Sequence, residues 1–366
     1  MNVLYDHQIF TAQKHGGVSR YFYEISSRLN LNHDVHTEIL APLYQNNYIK
    51  SARGVIVKGR HVVNFSKTAG FFSGINQAIS NMMLRSENKF DIIHETYYNF
   101  PTIKPKNSVS ITTVHDMIHE LFPGEFGANN QTLINKKKSI LASDHIICVS
   151  ENTKRDLINL YDVPNDKISV IYLGSSLSSS LISADQKYIG KPYFLYVGRR
   201  NGYKNFISLA KSIALSKKLR SQFSLVCFGG GEITKQELFQ LNEIGFPLDD
   251  LVYRNGDDSA LSWYYKNASA LVVPSHYEGF GIPLLEAMSL RCPIACSNIS
   301  SLPEIAGNAA AYFNPWEVDS IIDCLENIVF SPSQLEILSD AGESRINNFS
   351  WDKCAKETSE AYKALK

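Results

Sequence analysis

Two carboxylates, Glu278 and Glu286, stand eight positions apart in Ser275-His-Tyr-Glu-Gly-Phe-Gly-Ile-Pro-Leu-Leu-Glu286. The preceding run Ala270-Leu-Val-Val-Pro274 is typical of a buried parallel strand. The residues from Pro283 onward predict a helix with proline in its first turn. A strand, a glycine turn and a helix amino terminus present free backbone N–H groups to an anion. With two carboxylates added, the segment suits a ligand that has both phosphates and hydroxyls, such as a nucleotide sugar.

A second segment, Tyr196-Val-Gly-Arg-Arg-Asn-Gly-Tyr-Lys-Asn205, supplies cations after another predicted strand. Arg199 and Lys204 lie just beyond the strand end, where charged side chains can converge on a phosphate. Such cations stabilise a departing diphosphate, because negative charge grows on it as the sugar bond breaks. An exposed basic loop is the alternative interpretation.

Two segments of the first half have polar or glycine residues close after strands. Gly16 and Gly17 are predicted to open a helix, either as a contact for a phosphate or hydroxyl or as a tight turn. The spacing around them is not the dinucleotide-binding fingerprint. His115 and Asp116 end another strand, where His115 could hydrogen-bond a sugar or diphosphate, or be structural. Ser150 is predicted to cap a helix.

Size and composition limit the class of protein. A chain of 366 residues favours two domains. Its 36 basic and 36 acidic residues balance, so there is no net positive charge that would attract nucleic acid. The six cysteines lack metal-ligand spacing and are predicted to be buried free thiols, which fits a cytoplasmic protein. No signal peptide and no run of 18 apolar residues is present, so we expect a soluble or at most peripheral protein. Lys136-Lys-Lys138 and Gly70-Phe-Phe72 could touch a membrane, or be solvated lysines and packed helix.

Short apolar strands alternate with helical stretches along the whole chain, which predicts parallel α/β sheets. A serine-rich stretch that begins at Gly174 reads as a linker. We therefore predict two Rossmann-like, doubly wound domains that face each other across a cleft. The predicted boundaries are 1–173 for an acceptor domain, 174–191 for the linker, 192–345 for a nucleotide-sugar domain and 346–366 for a terminal helix.

Taken together, these segments resemble glycosyltransferase family 4. The resemblance rests on the early Gly-Gly loop, the His-Asp strand end, Val-Gly-Arg…Lys-Asn, the Glu-x7-Glu block, and Ser301-Leu-Pro-Glu-Ile-Ala-Gly307 after it. It covers nearly the whole chain in order. It implies the GT-B fold, a terminal helix that crosses back to the first domain, and retaining, metal-independent transfer from a nucleotide sugar. One position departs from the pattern: Arg291 stands on the turn after the motif helix, where the family usually has glycine.

The resemblance also implies roles for individual residues. The expected donor-sugar contacts are the carboxylate of Glu278 and the backbone of Gly279, Phe280 and Gly281. The N–H of Ile282 should approach the phosphates, and Glu286 should accept from the ribose hydroxyls. Arg199 and Lys204 should bind the diphosphate, and His115 should lie near the sugar.

The resemblance therefore predicts a hexosyltransferase that needs no cofactor or metal. Its acceptor is expected to be a hydroxyl of a glycan or of a lipid-linked saccharide. The likeness to enzymes of O-antigen and surface-polysaccharide assembly favours mannose or a related sugar, carried by GDP. No residue is marked as a covalent nucleophile, so we expect front-face attack. A non-catalytic sugar-nucleotide binder, or a partner subunit on the same scaffold, is the rival; a GT-B epimerase or phosphorylase is a third possibility.

Overall fold

The computed structural model forms two compact units. It describes residues 1–31, 34–50, 54–62, 69–86, 89–98, 104–127, 130–182, 189–200 and 202–366. The first unit contains Met1–Gly174 and Trp351–Lys366, and the second contains Ser175–Ser350. Within the stretch predicted as a linker, Ser179–Leu181 forms a 3-10 turn of the second unit, and residues 183–188 lie outside the described residues.

The first unit is built on a sheet of parallel strands. In chain order they are β1 (Asn2–Tyr5), β2 (His36–Tyr44), β3 (Ile56–His61), β4 (Ile92–Glu95), β5 (Val109–Val114), β6 (His145–Cys148) and β7 (Ile168–Val170). In space they are ordered β3-β2-β1-β4-β5-β6-β7, and every described pairing is parallel. The order reverses between β1 and β4, where open α/β sheets form a crevice for ligands.

Seven described helices separate these strands. They are α1 (Gln8–Ala12), α2 (Gly17–Leu29), α3 (Asn47–Lys50), α4 (Ala69–Ser86), α5 (Ile118–Leu121), α6 (Gln131–Ala142) and α7 (Glu151–Tyr161). In α2 the buried residues Tyr21, Phe22, Ile25 and Leu29 recur at helical spacing. At α7 the predicted cap is confirmed, because the Ser150 hydroxyl accepts from the Thr153 N–H at 3.0 Å.

The second unit repeats the scheme on a second parallel sheet. Its strands are β8 (Tyr193–Val197), β9 (Ser224–Phe228), β10 (Leu251–Arg254), β11 (Ala270–Val273), β12 (Ile294–Ser297) and β13 (Ala311–Phe313). Their spatial order is β10-β9-β8-β11-β12-β13, again with parallel pairings. The order reverses between β8 and β11, and these two strands lead into the two segments that the sequence singled out. The prediction of two doubly wound sheets is confirmed.

Helices flank this second sheet as well. They are α8 (Phe206–Leu215), α9 (Lys217–Gln222), α10 (Lys235–Glu243), α11 (Asp258–Asn267), α12 (Ile282–Ser289), α13 (Leu302–Ala306), α14 (Val318–Val329) and α15 (Pro332–Arg345). The core contains strand residues such as Phe194 and Leu225 with helix residues such as Leu209 and Leu325. Burial of this apolar surface holds the strand ends, and hence the loops beyond them, in place.

The helix α16 (Trp351–Ala364) belongs to the first unit and packs on α2. Its Tyr362 hydroxyl lies 2.6 Å from Nδ1 of His94 and 3.0 Å from the Tyr5 hydroxyl. The other ring nitrogen of His94 lies 2.8 Å from the Thr113 hydroxyl. These groups are buried, so each hydrogen bond replaces a contact with water that burial removed. Helix α16 is therefore fixed to strands β1 and β4 by polar contacts as well as by packing, and His94 extends the network to β5.

Candidate active site

The central feature of the second unit is an ion pair between Lys204 and Glu278. Lys204 lies in the 3-10 turn Gly202–Lys204 after β8, and Glu278 lies in the turn between β11 and α12. The lysine Nζ is 2.7 Å from Oε1 and 2.8 Å from Oε2 of the carboxylate. The Ser275 hydroxyl donates to Oε1 at 2.7 Å. Two residues predicted for phosphate and sugar binding thus meet at the end of neighbouring strands.

The backbone around Glu278 is held by the loop that follows β12. The Glu278 N–H donates to the Ser300 hydroxyl at 3.1 Å. The buried Ser301 hydroxyl donates to the carbonyl oxygens of Glu278 and Phe280, at 2.8 and 3.0 Å. These contacts fix the turn that carries Gly279, so its backbone is pre-organised for a ligand. In the sequence, Ser301 is only the first residue of a block shared with the family, and no local pattern indicates this role.

Gly281 makes the turn into α12 possible. Its φ is +99°, a left-handed conformation that residues with a side chain rarely adopt. A Cβ there would lie only 3.0 Å from the Leu302 side chain. Helix α12 starts at Ile282 with proline in its first turn, as predicted. Its first N–H groups have no acceptor within the helix, so they can serve an anion.

Glu286 lies in the second turn of α12 and is almost buried, with 7% of its surface exposed. The buried Tyr265 hydroxyl donates to Oε2 of Glu286 at 2.7 Å. Burial, reinforced by the neighbouring carboxylate, raises the pKa of Tyr265 well above its usual value. The phenol therefore stays protonated and remains a donor to Glu286. Tyr265 belongs to the buried core and also orients a predicted ligand-binding carboxylate.

Two adjacent arginines after β8 have different environments. Arg199 is exposed, which suits the predicted contact with a diphosphate. Arg200 is 8% exposed, and its Nε lies 2.7 Å from Oε1 of Glu237. Its terminal nitrogens donate to three carbonyl oxygens of the turn 229–232, at 2.8 to 3.2 Å. The role of Arg200 cannot be predicted from the sequence, because nothing in a run of two arginines tells which one is buried.

Arg200 holds the glycine turn against the loop that carries Arg199. Gly230 has φ +72°, and a Cβ there would lie 2.2 Å from the carbonyl oxygen of Gly198. Only glycine fits this close approach. Beside the two loops is a cavity of about 670 Å³. Its wall includes Arg199, Arg200, Gly202, Asn205, Gly230 and Thr234.

In the first unit, Gly16 and Gly17 stand at the amino terminus of α2, as predicted. Gly16 is the residue before the helix and has an extended backbone. A Cβ on Gly16 would lie 2.3 Å from Oε1 of Gln13, and this same oxygen accepts from the Ser19 N–H at 3.4 Å. The glycine therefore lets the Gln13 side chain reach the first turn of the helix. Ligand contact at Gly16 and Gly17 stays a prediction.

His115 follows β5 and packs edge-on against Tyr21, with ring centroids 5.3 Å apart. The backbone N–H of His115 donates to the Tyr98 hydroxyl at 3.4 Å. Its Nε2 is buried and has no hydrogen-bond partner among the described residues. Burial lowers the pKa of His115 to about 4, with Lys136 adding to the effect and Asp116 opposing it. The ring is therefore neutral near pH 7, and its Nε2 can donate a hydrogen bond to a hydroxyl or accept one from it.

Lys136 corrects one interpretation of the sequence. It is 1% exposed, and its Nζ lies 2.9 Å from the Glu120 carboxylate and 2.5 Å from the carbonyl oxygen of Asp116. Both interpretations of Lys136, as a membrane contact and as a solvated lysine, are wrong. The lysine instead braces the loop that follows His115. Lys137 and Lys138 are exposed. Within Gly70–Phe72, the side chains at 70 and 71 lie outside what the structure describes.

Two family models match the chain in succession. "Glycosyltransferase Family 4" matches residues 15–178, and "Glycosyl transferases group 1" matches residues 181–345. O-antigen chain mannosyltransferase B of Escherichia coli is 31% identical over 268 residues, which cover 70% of this chain and 70% of that protein. This chain is a family 4, group 1 glycosyltransferase. The O-antigen chain mannosyltransferase RfbU of Salmonella typhimurium is 27% identical over 340 residues, or 91% of this chain and 90% of that protein.

Solved structures place this glycosyltransferase in the GT-B fold. Sucrose-phosphate synthase from Thermosynechococcus elongatus superimposes with a TM-score of 0.78 at 17% identity, over 100% of this chain and 98% of the other. The Anabaena protein HepE, in complex with UDP and glucose, gives 0.73 at 14% identity over 100% of both chains. The predicted fold class and transferase class are confirmed.

The departure at Arg291 has a structural basis in the glycosyltransferase. Arg291 adopts φ +56°, the left-handed conformation for which glycine is preferred. Its guanidinium pairs with Asp340 and Glu343 on α15. The position thus has a backbone conformation that glycine adopts easily, and the arginine makes contacts that glycine could not.

Other predictions concern cysteines, metals and membranes. All six cysteines are buried and free, as predicted. Among the described residues there is no group of three or more His, Cys, Asp or Glu side chains that could hold a metal ion. In the same part of the chain, no helix is both long and apolar enough to cross a bilayer.

Proposed function

We propose that this glycosyltransferase is a retaining, metal-independent hexosyltransferase of polysaccharide or O-antigen assembly. It transfers mannose or a related sugar from a GDP-sugar to a hydroxyl of a glycan or lipid-linked saccharide. The observation that carries the proposal is the contact of Lys204 with both oxygens of Glu278, at the amino end of α12. One loop offers a cation for the diphosphate, and the other offers a carboxylate for sugar hydroxyls.

The leaving group is stabilised by charges that are already in place. Arg199 is exposed beside the cavity, and Lys204 is held by its ion pair, so neither cation has to be recruited during the reaction. The N–H groups at the start of α12, including that of Ile282, add the positive end of the helix dipole. Cations and backbone dipoles aimed at a developing oxyanion contribute much of the catalysis in such sites. Because side chains and backbone supply this charge, the proposed reaction needs no metal ion.

Glu278 orients the sugar and does not attack it. Its carboxylate already accepts hydrogen bonds from Lys204 and Ser275, which fix its position. The acceptor hydroxyl therefore approaches on the face from which the diphosphate departs. The oxygen–carbon bond forms as the bond to the diphosphate breaks, and a phosphate oxygen takes the proton of the hydroxyl. Attack and departure on the same face retain the configuration of the sugar carbon.

Two relatives support mannose as the sugar. Both are named as O-antigen chain mannosyltransferases, and one of them aligns with 91% of this chain. The HepE structure contains UDP and glucose, so a UDP-sugar is the competing donor. Glu286, held by Tyr265, suits ribose hydroxyls, which both nucleotides share.

The proposal is tested first by nucleotide binding and then by turnover. Wild-type protein is heated with GDP, UDP, dTDP and their sugars, because a ligand that binds only the folded state raises Tm. We expect GDP and GDP-mannose to give the largest shifts and the Glu286→Gln variant to lose most of them. Larger shifts with UDP would overturn the donor assignment, and no shift with any nucleotide would overturn the donor site itself.

Product analysis then tests the reaction. GDP release with a mannose-terminated acceptor should occur in the presence of EDTA, and NMR should show the donor's anomeric configuration in the product. An inverted product would refute retention, and loss of turnover in EDTA would refute metal independence. Nucleotide binding without release, with every acceptor tried, would favour the non-catalytic binder.

A further inference from the structure

An exposed tryptophan lies next to the loops of the proposed donor site. Trp316 follows β13 and is 66% exposed. One face of its indole stacks on the His276 ring, with centroids 3.6 Å apart and planes 13° from parallel. No described residue accepts a hydrogen bond from the indole N–H. The second face and the N–H edge of this ring are therefore open to a ligand.

The loop that carries Trp316 is tied to both site loops. His276 lies two residues before Glu278, and its N–H donates to the carbonyl oxygen of Tyr203 at 2.7 Å. Tyr203 directly precedes Lys204. On the other side, the amide of Asn205 donates to the carbonyl oxygen of Pro315 at 2.8 Å. The indole therefore occupies a fixed position beside the Lys204–Glu278 pair.

The loop itself is well ordered by its own hydrogen bonds. The Asn314 side chain accepts from the backbone N–H of Trp316 at 3.2 Å and donates to the Glu317 carboxylate at 2.8 Å. The Asn314 N–H donates to the Ser320 hydroxyl at 3.0 Å. A ring held in this way loses little conformational freedom when a ligand covers it, which favours binding.

The sheet order indicates which part of a ligand reaches Trp316. The glycine turn 229–232 follows β9, whereas the Trp316 loop follows β13, four strand positions away. The Trp316 loop nevertheless folds back towards β11 and β8, because its Pro315 accepts from Asn205 and its indole stacks on His276. A nucleotide held near β8 and β9 would direct its sugar towards β11, and the loop that follows β11 carries both Glu278 and the His276 ring on which the indole stacks. The position suits a sugar and not the base.

We propose that the open face of Trp316 is a stacking subsite for a pyranose ring. The flat faces of a pyranose expose C–H groups, which the negative face of an aromatic ring attracts, while its hydroxyls stay in water. The indole N–H can donate to one of those hydroxyls. This subsite rests on the proposed function, since it takes a sugar of the donor or of the acceptor glycan.

Fluorescence and kinetics test the subsite with three variants. Trp316→Leu removes the aromatic face, Trp316→Phe keeps a smaller one, and Phe239→Leu removes an equally exposed aromatic residue of α10 as the matched control. Methyl α-mannoside and a mannose disaccharide form the acceptor arm, and GDP-mannose against GDP forms the donor arm. The emission change on titration with one of these sugars should occur in wild type and disappear in Trp316→Leu.

The expected kinetic effect is a rise of about tenfold in KM for the sugar that stacks, close to 1.4 kcal/mol. Trp316→Phe should show a smaller rise, and Phe239→Leu none. The Tm shift given by GDP should be unchanged in Trp316→Leu, which also reports that this variant folds. A rise confined to the acceptor arm assigns the subsite to the acceptor, and a rise confined to GDP-mannose assigns it to the donor.

Several results would overturn the subsite. Equal KM values in wild type and Trp316→Leu for both arms would do so. An equal loss of GDP binding and sugar binding would mean that Trp316 only supports the loops. If Trp316→Leu does not fold, Trp316→Phe decides, because its KM for the stacking sugar should exceed that of wild type by less than about tenfold, and an unchanged KM would overturn the subsite. Absence of turnover in wild type would refute the proposed function, while the binding titrations would still decide the subsite.

Discussion

The Nζ of Lys204 lies within 2.8 Å of both carboxylate oxygens of Glu278, although 74 residues separate the two along the chain. Their side chains are 24% and 14% exposed, so water screens this pair only in part. Each residue thereby holds the other in place, and removing either leaves a charge without its partner.

We predict that Lys204→Ala and Glu278→Ala each lower kcat by about a hundredfold to a thousandfold, with the fold intact. The double variant should lose less than the product of the two single losses, because each single change already disrupts the other residue. Steady-state turnover with the preferred nucleotide sugar and circular dichroism are the measurements. Lys191→Ala, which breaks a pair with Asp250 on the same unit, is the control and should keep normal turnover. Near-normal turnover of either single variant would refute the assigned roles.

Arg200→Lys should destabilise the second unit and weaken nucleotide binding. Lysine cannot reproduce the fork that reaches Glu237 and three carbonyl oxygens at once, so buried acceptors lose their donors. We expect a loss of about 2–4 kcal/mol in unfolding free energy, measured by urea titration. Arg220→Lys, at an exposed position of α9, should change stability by less than about 0.5 kcal/mol. Equal stabilities of the two variants would contradict the role of Arg200.

Two buried histidines predict acid sensitivity. Burial lowers the pKa of His94 to about 3 and that of His115 to about 4, from an ordinary value of 6.5. The unfolded chain therefore binds more protons below pH 6.5, and stability is complete above that pH. It should fall as the pH drops towards 4 and then 3, by up to about 1.4 kcal/mol per pH unit for each histidine.

The contribution of His94 to this slope can be isolated. His94→Gln keeps a side chain able to hydrogen-bond Tyr362 and removes the titrating ring, so its stability should decline less steeply between pH 6.5 and 4. His36→Gln, at an exposed position of β2, should leave the slope unchanged. Urea unfolding at half-unit pH steps is the measurement, and parallel slopes for wild type and His94→Gln would contradict the prediction.

Arg291→Gly should stabilise the protein slightly. The change relieves a left-handed conformation that costs a non-glycine residue energy, and it gives up only exposed ion pairs to Asp340 and Glu343. We expect Tm to rise by roughly 1–3 °C in a thermal melt. Arg291→Ala keeps the unfavourable backbone and also loses the pairs, so its Tm should fall. If the Tm of the alanine variant equals or exceeds that of the glycine variant, backbone strain is not the deciding factor.

Local patterns predicted the elements well and the hydrogen-bonded supports poorly. The apolar runs and the proline and glycine positions were enough for the strand, turn and helix around Glu278, because these depend on residues within one short segment. Ser301 and Tyr265 act on that segment from other loops, and no local spacing indicates such contacts. Burial was the second limit, since the sequence could not tell exposed Arg199 from buried Arg200.

Trp316 illustrates a third limit. Asn-Pro-Trp after β13 is an ordinary loop by composition, and sequence analysis gave it no role. Its stack on His276 joins the loops that follow β13 and β11, two strands that lie on either side of β12 in the folded sheet. Long-range packing of this kind follows from topology, which single-sequence patterns do not fix.

The hydrogen bond between His94 and Tyr362 joins residues 268 positions apart and lies wholly within the first unit. On the ribosome, His94 emerges long before Tyr362 is made, with the whole of the second unit synthesised in between. The second unit is continuous in sequence and can fold as soon as it emerges. The first unit is complete only once α16 has been made, so its synthesis begins before that of the second unit and ends after it.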